Sequence, residues 1–267
     1  MASKVAIIGC GWLGFPLAKN LVQKGFEVKG STTSSEKLGE LKSVGIQPYR
    51  VAISEDKITG DIDDMLADCE LLIINIPPGL RKNPSANFVK KIKLLKSHIE
   101  TSTIKKVLFV SSTSVYGDAT DVITEKSVIN PTSKSGKQLV KAEKTLKSSN
   151  YYQITIVRFS GLIGANRHPI KFLSGKTGLD NGNTPVNLVH LNDCIDSILF
   201  TIQNDLWDEE FNISYPDHPP KESYYNRIAK DRKLALPLFN KKITTKSNKV
   251  ISSEKIQTLG FRFKSPI

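Results

Sequence analysis

Gly9, Gly11 and Gly14 stand in the spacing GxGxxG inside "KVAIIGCGWLGFPLAKNLVQKG". An apolar run precedes them and a helical pattern follows, and in that context the spacing has a physical purpose. The first glycine permits a tight turn, the second lets the backbone approach a diphosphate, and the third lets the helix lie close to the strand. Free N–H groups at the helix N-terminus, with the helix dipole behind them, then favour the anion. Trp12 and Leu13 lie between the second and third glycines and belong to the same cradle. Pro16 follows in or just after the first turn, where a missing N–H costs least. The chemistry implied is the binding of a dinucleotide.

Which dinucleotide is decided where the second strand ends. An acidic residue about 20 positions after the glycines holds the ribose 2′-hydroxyl of NAD. Here the run is "KGSTTSSEK", with Ser31, Thr32, Thr33 and Ser34, no acid until Glu36, and Lys37 after it. Hydroxyls and a lysine accept a 2′-phosphate that a carboxylate would repel. NADP is therefore favoured over NAD, although the arginine expected beside a 2′-phosphate is absent.

Other side chains able to do chemistry lie further on. Tyr116 is the phenol nearest in sequence to Ser112 and is either a proton donor or a packed aromatic. His190, at a strand end in "LVHLND", is either a substrate contact or a hydrogen-bonded structural residue. Asp193, or Asn192 before it, reads as the cap of the following helix.

The elements that must position these residues alternate in kind. "KVAIIG", "FEVKGS", "IQPYRVAI", "ELLIIN", "VLFVSS" and "YYQITIVRF" read as strands, and "LAKNLVQKG", "SEKLGELKSVG", "ANFVKKIKLLKSHIE" and "TSKSGKQLVKAEKTLKSS" as the helices between them. Runs such as "ELLIIN" lack polar alternation, as strands covered on both faces do. The expected fold is α/β, a Rossmann-type doubly wound parallel sheet with helices on both faces and a small interleaved C-terminal substrate lobe. Residues 1–158 form the NAD(P)-binding domain in this reading, 186–205 return to it, and 159–185 with 206–267 make the lobe. Beyond Arg158, glycine, proline and asparagine punctuate "SGLIGANRHPIKFLSGKTGLDNGNTPVN", the texture of loops at the mouth of a site.

Composition removes several classes of function. The 267 residues include no apolar run near the roughly 20 needed to cross a membrane, and the N-terminus lacks an h-region, so a cytoplasmic location is expected. Cys10, Cys69 and Cys194 show no CxxC spacing and the four histidines no ligand spacing, which argues against disulfides and a metal. The net charge of +12 raises nucleic acid as a partner. Its lysines, however, are scattered over helix surfaces, and the expected partner is a small molecule.

"VLFVSSTSVYGD", with "GCGWLGFPLA", "NPTSKSGK", "VRFSGLIGANRHP" and "VNLVHLNDCI", resembles an atypical extended short-chain dehydrogenase/reductase of the YeeZ-like, NAD(P)-dependent epimerase/dehydratase group. The resemblance spans essentially the whole chain. It implies that Ser112 hydrogen-bonds the reacting oxygen, that Lys137 holds the nicotinamide ribose, and that Asn75, Ile76, Pro77 and Phe159 line the cofactor. It also turns the loop with Arg167 and His168 toward the nicotinamide, where one would bind substrate and His168 could move a proton. The family's tyrosine of YxxxK is replaced, in this alignment, by Ser133. An alkoxyl without an adjacent base is too weak an acid to take over from a tuned phenol. Gly161 in "RFSGLIG" stands where many sugar-nucleotide epimerases carry a diphosphate-holding asparagine. Family members also pair through a four-helix interface to which "KQLVKAEKTL" would contribute, so the state is read as monomer or homodimer.

Two functions fit these residues. One is an NADP-dependent oxidoreductase or epimerase acting on a small polar carbonyl or hydroxyl compound, with Ser112, Lys137 and either His168 or Tyr116 as its machinery. The other is an NADP-binding or sensing protein without turnover.

Overall fold

A computed structural model describes residues 3–81, 83–164, 166–241 and 248–267. Its centre is a seven-stranded, wholly parallel sheet. The strands are β1 (Lys4–Ile8), β2 (Glu27–Thr32), β3 (Gln47–Arg50), β4 (Leu71–Ile74), β5 (Lys106–Ser112), β6 (Gln153–Phe159) and β7 (Glu210–Ile213). Their spatial order is β7-β6-β5-β4-β1-β2-β3. Strand order therefore reverses between β1 and β4, and the crevice beyond their carboxyl ends is where such sheets bind ligands.

The helices α1 (Gly14–Gln23), α2 (Lys37–Ser43), α3 (Phe88–Glu100), α4 (Lys134–Lys147) and α5 (Leu191–Gln203) cover the sheet, and α6 (Lys221–Asp231) packs into a separate small core. Burial on both faces explains the unalternated strands. On one side Ala6 and Ile8 of β1 join Ile92, Leu95 and Ile99 of α3 and Leu139, Ala142 and Leu146 of α4. On the other, Val5 and Ile7 join Leu17 and Leu21 of α1 and Ile195 and Ile198 of α5.

The chain's halves divide differently from the sequence reading. β7 lies within 206–267, which was assigned to the lobe, yet it pairs with β6 and completes the main sheet. Ile256 and Phe261 pack into the same core as α1 and α5. Conversely, Leu188–His190 does not return to the main sheet but pairs with Gly161–Ile163. What remains of the lobe is a small core of Ile163, Ile170, Val186, Leu188, Tyr224, Tyr225 and Ala229. A five- or six-residue apolar run shows that a strand forms, while its partner is set by distant chain.

One charged cluster crosses the interior. Arg158 on β6 is fully buried and forks onto Glu143 of α4, Nε to Oε1 at 3.2 Å and Nη2 to Oε2 at 2.8 Å. Its Nη2 also meets Glu210 at 2.9 Å, and its Nη1 donates to the Tyr116 hydroxyl at 2.9 Å. Glu143→Ala leaves this guanidinium short of its main partner, and a loss of about 3 kcal/mol of stability is expected in urea unfolding. Glu143→Leu combined with Arg158→Met should lose less than the single change, because no buried charge is then stranded.

Candidate functional site

The glycine turn is built from backbone contacts that leave no space for side chains. Gly9 has φ +100°, and a Cβ there would sit 2.5 Å from the Asn75 carbonyl oxygen. A Cβ on Gly14 would run into the Gly9 carbonyl. Two side chains lock the turn: Gly9 N–H donates to Ser31 Oγ at 3.0 Å, and Asn75 Nδ2 donates to the Gly9 carbonyl at 3.0 Å. Gly11 is different. Nothing lies within 4 Å of its Cβ position, so the turn presents bare backbone to an open cleft. Among the described residues, the Trp12 and Leu13 amides at the start of α1 have no protein acceptor, and the first turn of the helix carries no acid. Open space, unpaired N–H groups and a helix N-terminus together fit a diphosphate.

The cleft in front of this turn encloses about 620 Å³. It is lined by Gly9, Gly11, Trp12, Leu13, the hydroxyl run Ser31 to Ser34, Lys37, Asn75, Ile76 and Pro77, and, among the described residues, by no Asp or Glu. Ser31 and Thr32 are buried and structural: Ser31 holds Gly9, and Thr32 Oγ1 accepts from Ser34 N–H at 3.2 Å. Thr33 and Lys37 are exposed and Ser34 half-buried, so these three remain available to a ligand. Cys10, also on the cleft wall, is an inert thiol, pushed up to about 12 by burial.

A larger cavity of about 1050 Å³ opens from this cleft. Val110, Ser111, Ser112, Leu162 and Arg167 line both. Ser112 Oγ accepts from Ser114 N–H at 3.2 Å, which orients it and leaves its O–H free to donate. Ser111 donates to Glu143 at 2.5 Å and ties the junction to the buried cluster. The Arg167 guanidinium lies 4.9 Å from the Trp12 ring centroid, a cation–π contact that holds it across the junction. Phe159, expected on the cofactor, lines the larger cavity instead. Gly161 lines it too, and a Cβ there would come 2.7 Å from Leu188 Cδ2.

Other expectations are corrected by position. Lys137 is exposed and lines neither space; Leu139 faces the cleft in its stead. Ser133 is the N-cap of α4, its Oγ accepting from Gly136 N–H at 3.0 Å. The α4 residue that lines the cleft is thus Leu139, two positions beyond the lysine read from the sequence. Buried positions 136, 139, 143 and 146 already mark that face at helical spacing, a signal the sequence contained.

His168 is buried against the small core, with Nε2 2.9 Å from the Tyr224 hydroxyl and Nδ1 accepting from Ile170 N–H at 3.1 Å. Burial, helped by Arg232 and Arg227, lowers it to about 4, and with both nitrogens engaged it cannot serve a substrate. Tyr116 is buried among Arg158 and Asn212, donating to Asn212 Oδ1 at 2.9 Å, and burial pushes its phenol upward. His190 caps α5 through Nδ1, which accepts from Asn192 N–H at 3.2 Å. Asp193, expected as that cap, is buried and instead accepts from the amides of Lys264 and Ser265 at 2.9 and 3.1 Å. Missed altogether were Arg81, Ser160, Lys221 and Lys249 on the larger cavity; they come from four separate segments, and no spacing rule joins them. Among the described residues no three His, Cys, Asp or Glu gather as a metal would need, and no helix is long and apolar enough to cross a membrane.

Two expectations follow. Gly11→Ala should leave thermal stability unchanged and weaken dinucleotide binding at least tenfold in calorimetry, whereas Gly14→Ala should unfold at markedly lower temperature. His168 is lowered in the folded state from 6.5 to about 4, so only the unfolded chain takes up its proton between these values. Its contribution to stability is complete above pH 6.5 and is lost as pH falls toward 4. His168→Gln should flatten that part of a stability profile.

Comparison with known proteins agrees with this geometry. Residues 4–128 match the NAD binding domain of 6-phosphogluconate dehydrogenase. The chain is 35% identical to Protein YeeZ of Escherichia coli K12, covering 98% of this chain and 96% of that one. Among solved structures, MoeE5 in complex with UDP-glucuronic acid and NAD superposes with a TM-score of 0.80 at 18% identity, covering 99% and 95% of the two chains. The UDP-glucuronic acid 4-epimerase of Bacillus cereus in complex with NAD gives 0.74 at 18% identity, covering 96% and 91%.

Proposed function

Since the chain belongs to the YeeZ-like family of atypical extended short-chain dehydrogenase/reductases, we propose that it binds NADP in preference to NAD and uses it on a small polar carbonyl or hydroxyl compound. The observation that carries this reading is the open Gly11 cradle facing a cleft whose walls bear Thr33, Ser34 and Lys37 but no carboxylate. In this reading the open space at Gly11 lets the diphosphate reach the Trp12 and Leu13 amides, and Thr33, Ser34 and Lys37 take the 2′-phosphate. The bound cofactor supplies or accepts a hydride. Ser112, at the junction of cleft and cavity, donates its hydroxyl to the reacting oxygen of the substrate. Orientation of the two reactants does much of the work in such a site.

A second reading, an NADP-binding protein without turnover, has its own observation. The α4 helix meets the cleft with Leu139 and contains no tyrosine, so both the phenol and the ammonium of a YxxxK pair are missing there. Neither Tyr116 nor His168 is free to take over. In that case the nucleotide acts by mass action on stability alone. The sugar-nucleotide complexes of its structural neighbours make a sugar-related substrate the first panel to try.

Calorimetric titration with NAD and NADP tests the cofactor: NADP should bind at least about tenfold tighter, a difference of about 1.4 kcal/mol. Lys37→Ala should erase most of that preference, and Lys137→Ala should leave both affinities unchanged. Tighter binding of NAD would overturn the assignment. If hydride transfer to a panel compound is found, Ser112→Ala should reduce it about a hundredfold without changing nucleotide affinity; a panel without turnover favours the second reading.

A further inference from the structure

The larger cavity holds an excess of positive charge that the nucleotide cleft does not account for. Among the described residues, Arg81, Arg167, Lys221 and Lys249 line it against one carboxylate, Asp118. Elsewhere this chain pairs its lysines closely, as in Lys106–Asp205 at 2.7 Å and Lys255–Glu209 at 2.6 Å. Among the described residues none of the four cavity cations forms an ion pair. Arg81, Lys221 and Lys249 do not touch the smaller cleft, so a nucleotide there would not neutralise them.

The four cations also stand as two like-charged pairs. Lys249 is lowered by burial and, more weakly, by Lys221, with Asp118 pulling the other way, and Arg167 is lowered by burial and by Arg81. Lys221, half-buried, begins α6, the end at which the helix dipole opposes a cation. Lys249 Nζ has a neutral partner, donating to the Gly117 carbonyl at 2.6 Å. The Ser160 hydroxyl, 6% exposed on the same wall, has no hydrogen-bond partner. Lys221 and Lys249 are half-buried and Arg81 and Arg167 exposed, and Asp118 is too little negative charge for the four, so an anion entering between like charges relieves their repulsion. Arginine adds a planar fork suited to carboxylate or phosphate.

We propose that this cavity takes a small substrate with two acidic groups, each a carboxylate or a phosphate, one held by Lys221 and Lys249 and the other by Arg81 and Arg167. This deepens the function proposed above and rests on it only in leaving the smaller cleft to the dinucleotide. A nucleoside diphosphate sugar concentrates its charge in one diphosphate and would leave one pair unmatched. The second acid lies next to Ser112, so the compound would be a hydroxy or keto acid carrying a further acidic group at its far end.

The test is calorimetric titration of the full chain at low ionic strength, with and without saturating NADP. The probes are succinate, 3-phosphoglycerate, acetate, glycerol and UDP-glucose. Succinate or 3-phosphoglycerate should bind at least tenfold tighter than acetate or glycerol, and their ratio tells carboxylate from phosphate. Lys221→Met with Lys249→Met, and separately the exposed Arg81→Met, should each weaken the preferred di-acid tenfold or more while NADP affinity stays within twofold. Equal binding of acetate and the di-acids would overturn the proposal. So would UDP-glucose binding tighter than both with no response to Arg81→Met. Because the di-acids are also titrated without nucleotide, a failure to bind NADP would count against the cofactor assignment alone.

Discussion

The site depends on a steric constraint at one turn. Gly9, Gly14 and the Asn75 carbonyl approach so closely that any side chain on the inner side of the turn would displace backbone. That contact draws the start of α1 against the carboxyl ends of β1 and β4, where strand order reverses. Ser31 and Asn75 hold it from two neighbouring strands, so a hydroxyl at the end of β2 and an amide at the end of β4 become parts of the turn. Backbone N–H groups are then fixed before any ligand arrives, and a fixed donor array costs little reorganisation when an anion binds.

Behind the junction of the two spaces lies a different kind of support. Glu143, Arg158, Tyr116, Asn212 and Ser111 form a buried hydrogen-bonded cluster that joins α4 to β5, β6 and β7. A buried ion pair of this kind contributes little net stability over apolar packing, but it penalises every arrangement that separates its members. It therefore fixes Ser111, and through the chain Ser112, at the place where cleft and cavity meet. Tyr116 is consumed in this task, which is why a phenol so close to Ser112 in sequence is unavailable for proton transfer.

Much of this was legible in the residues. Apolar runs without alternation gave the parallel sheet, and the glycine spacing between strand and helix gave its binding crevice. The missing acid after β2 was equally plain. Three features were hidden for identifiable reasons. The register of α4 against the cleft depends on which face packs inward: Lys137 is two residues, about 200°, from Leu139, so an alignment slip of two exchanges cleft for solvent. His168 lies in a loop whose polarity suggested a mouth and His190 at a strand end, but each nitrogen role is set by a partner distant in space or by a local cap. The pairing of β7 with β6, across some 50 residues, carries no local signature at all. The basic wall of the larger cavity, gathered from four segments, is legible only in three dimensions.

The most direct test is to follow the backbone amides themselves. In an ¹⁵N-labelled sample titrated with NADP, the amide resonances of Trp12 and Leu13 should shift most, as expected for N–H groups receiving a diphosphate, with Thr33 and Ser34 next. Saturable binding that leaves the Trp12 and Leu13 amides unmoved while perturbing another part of the chain would contradict the account.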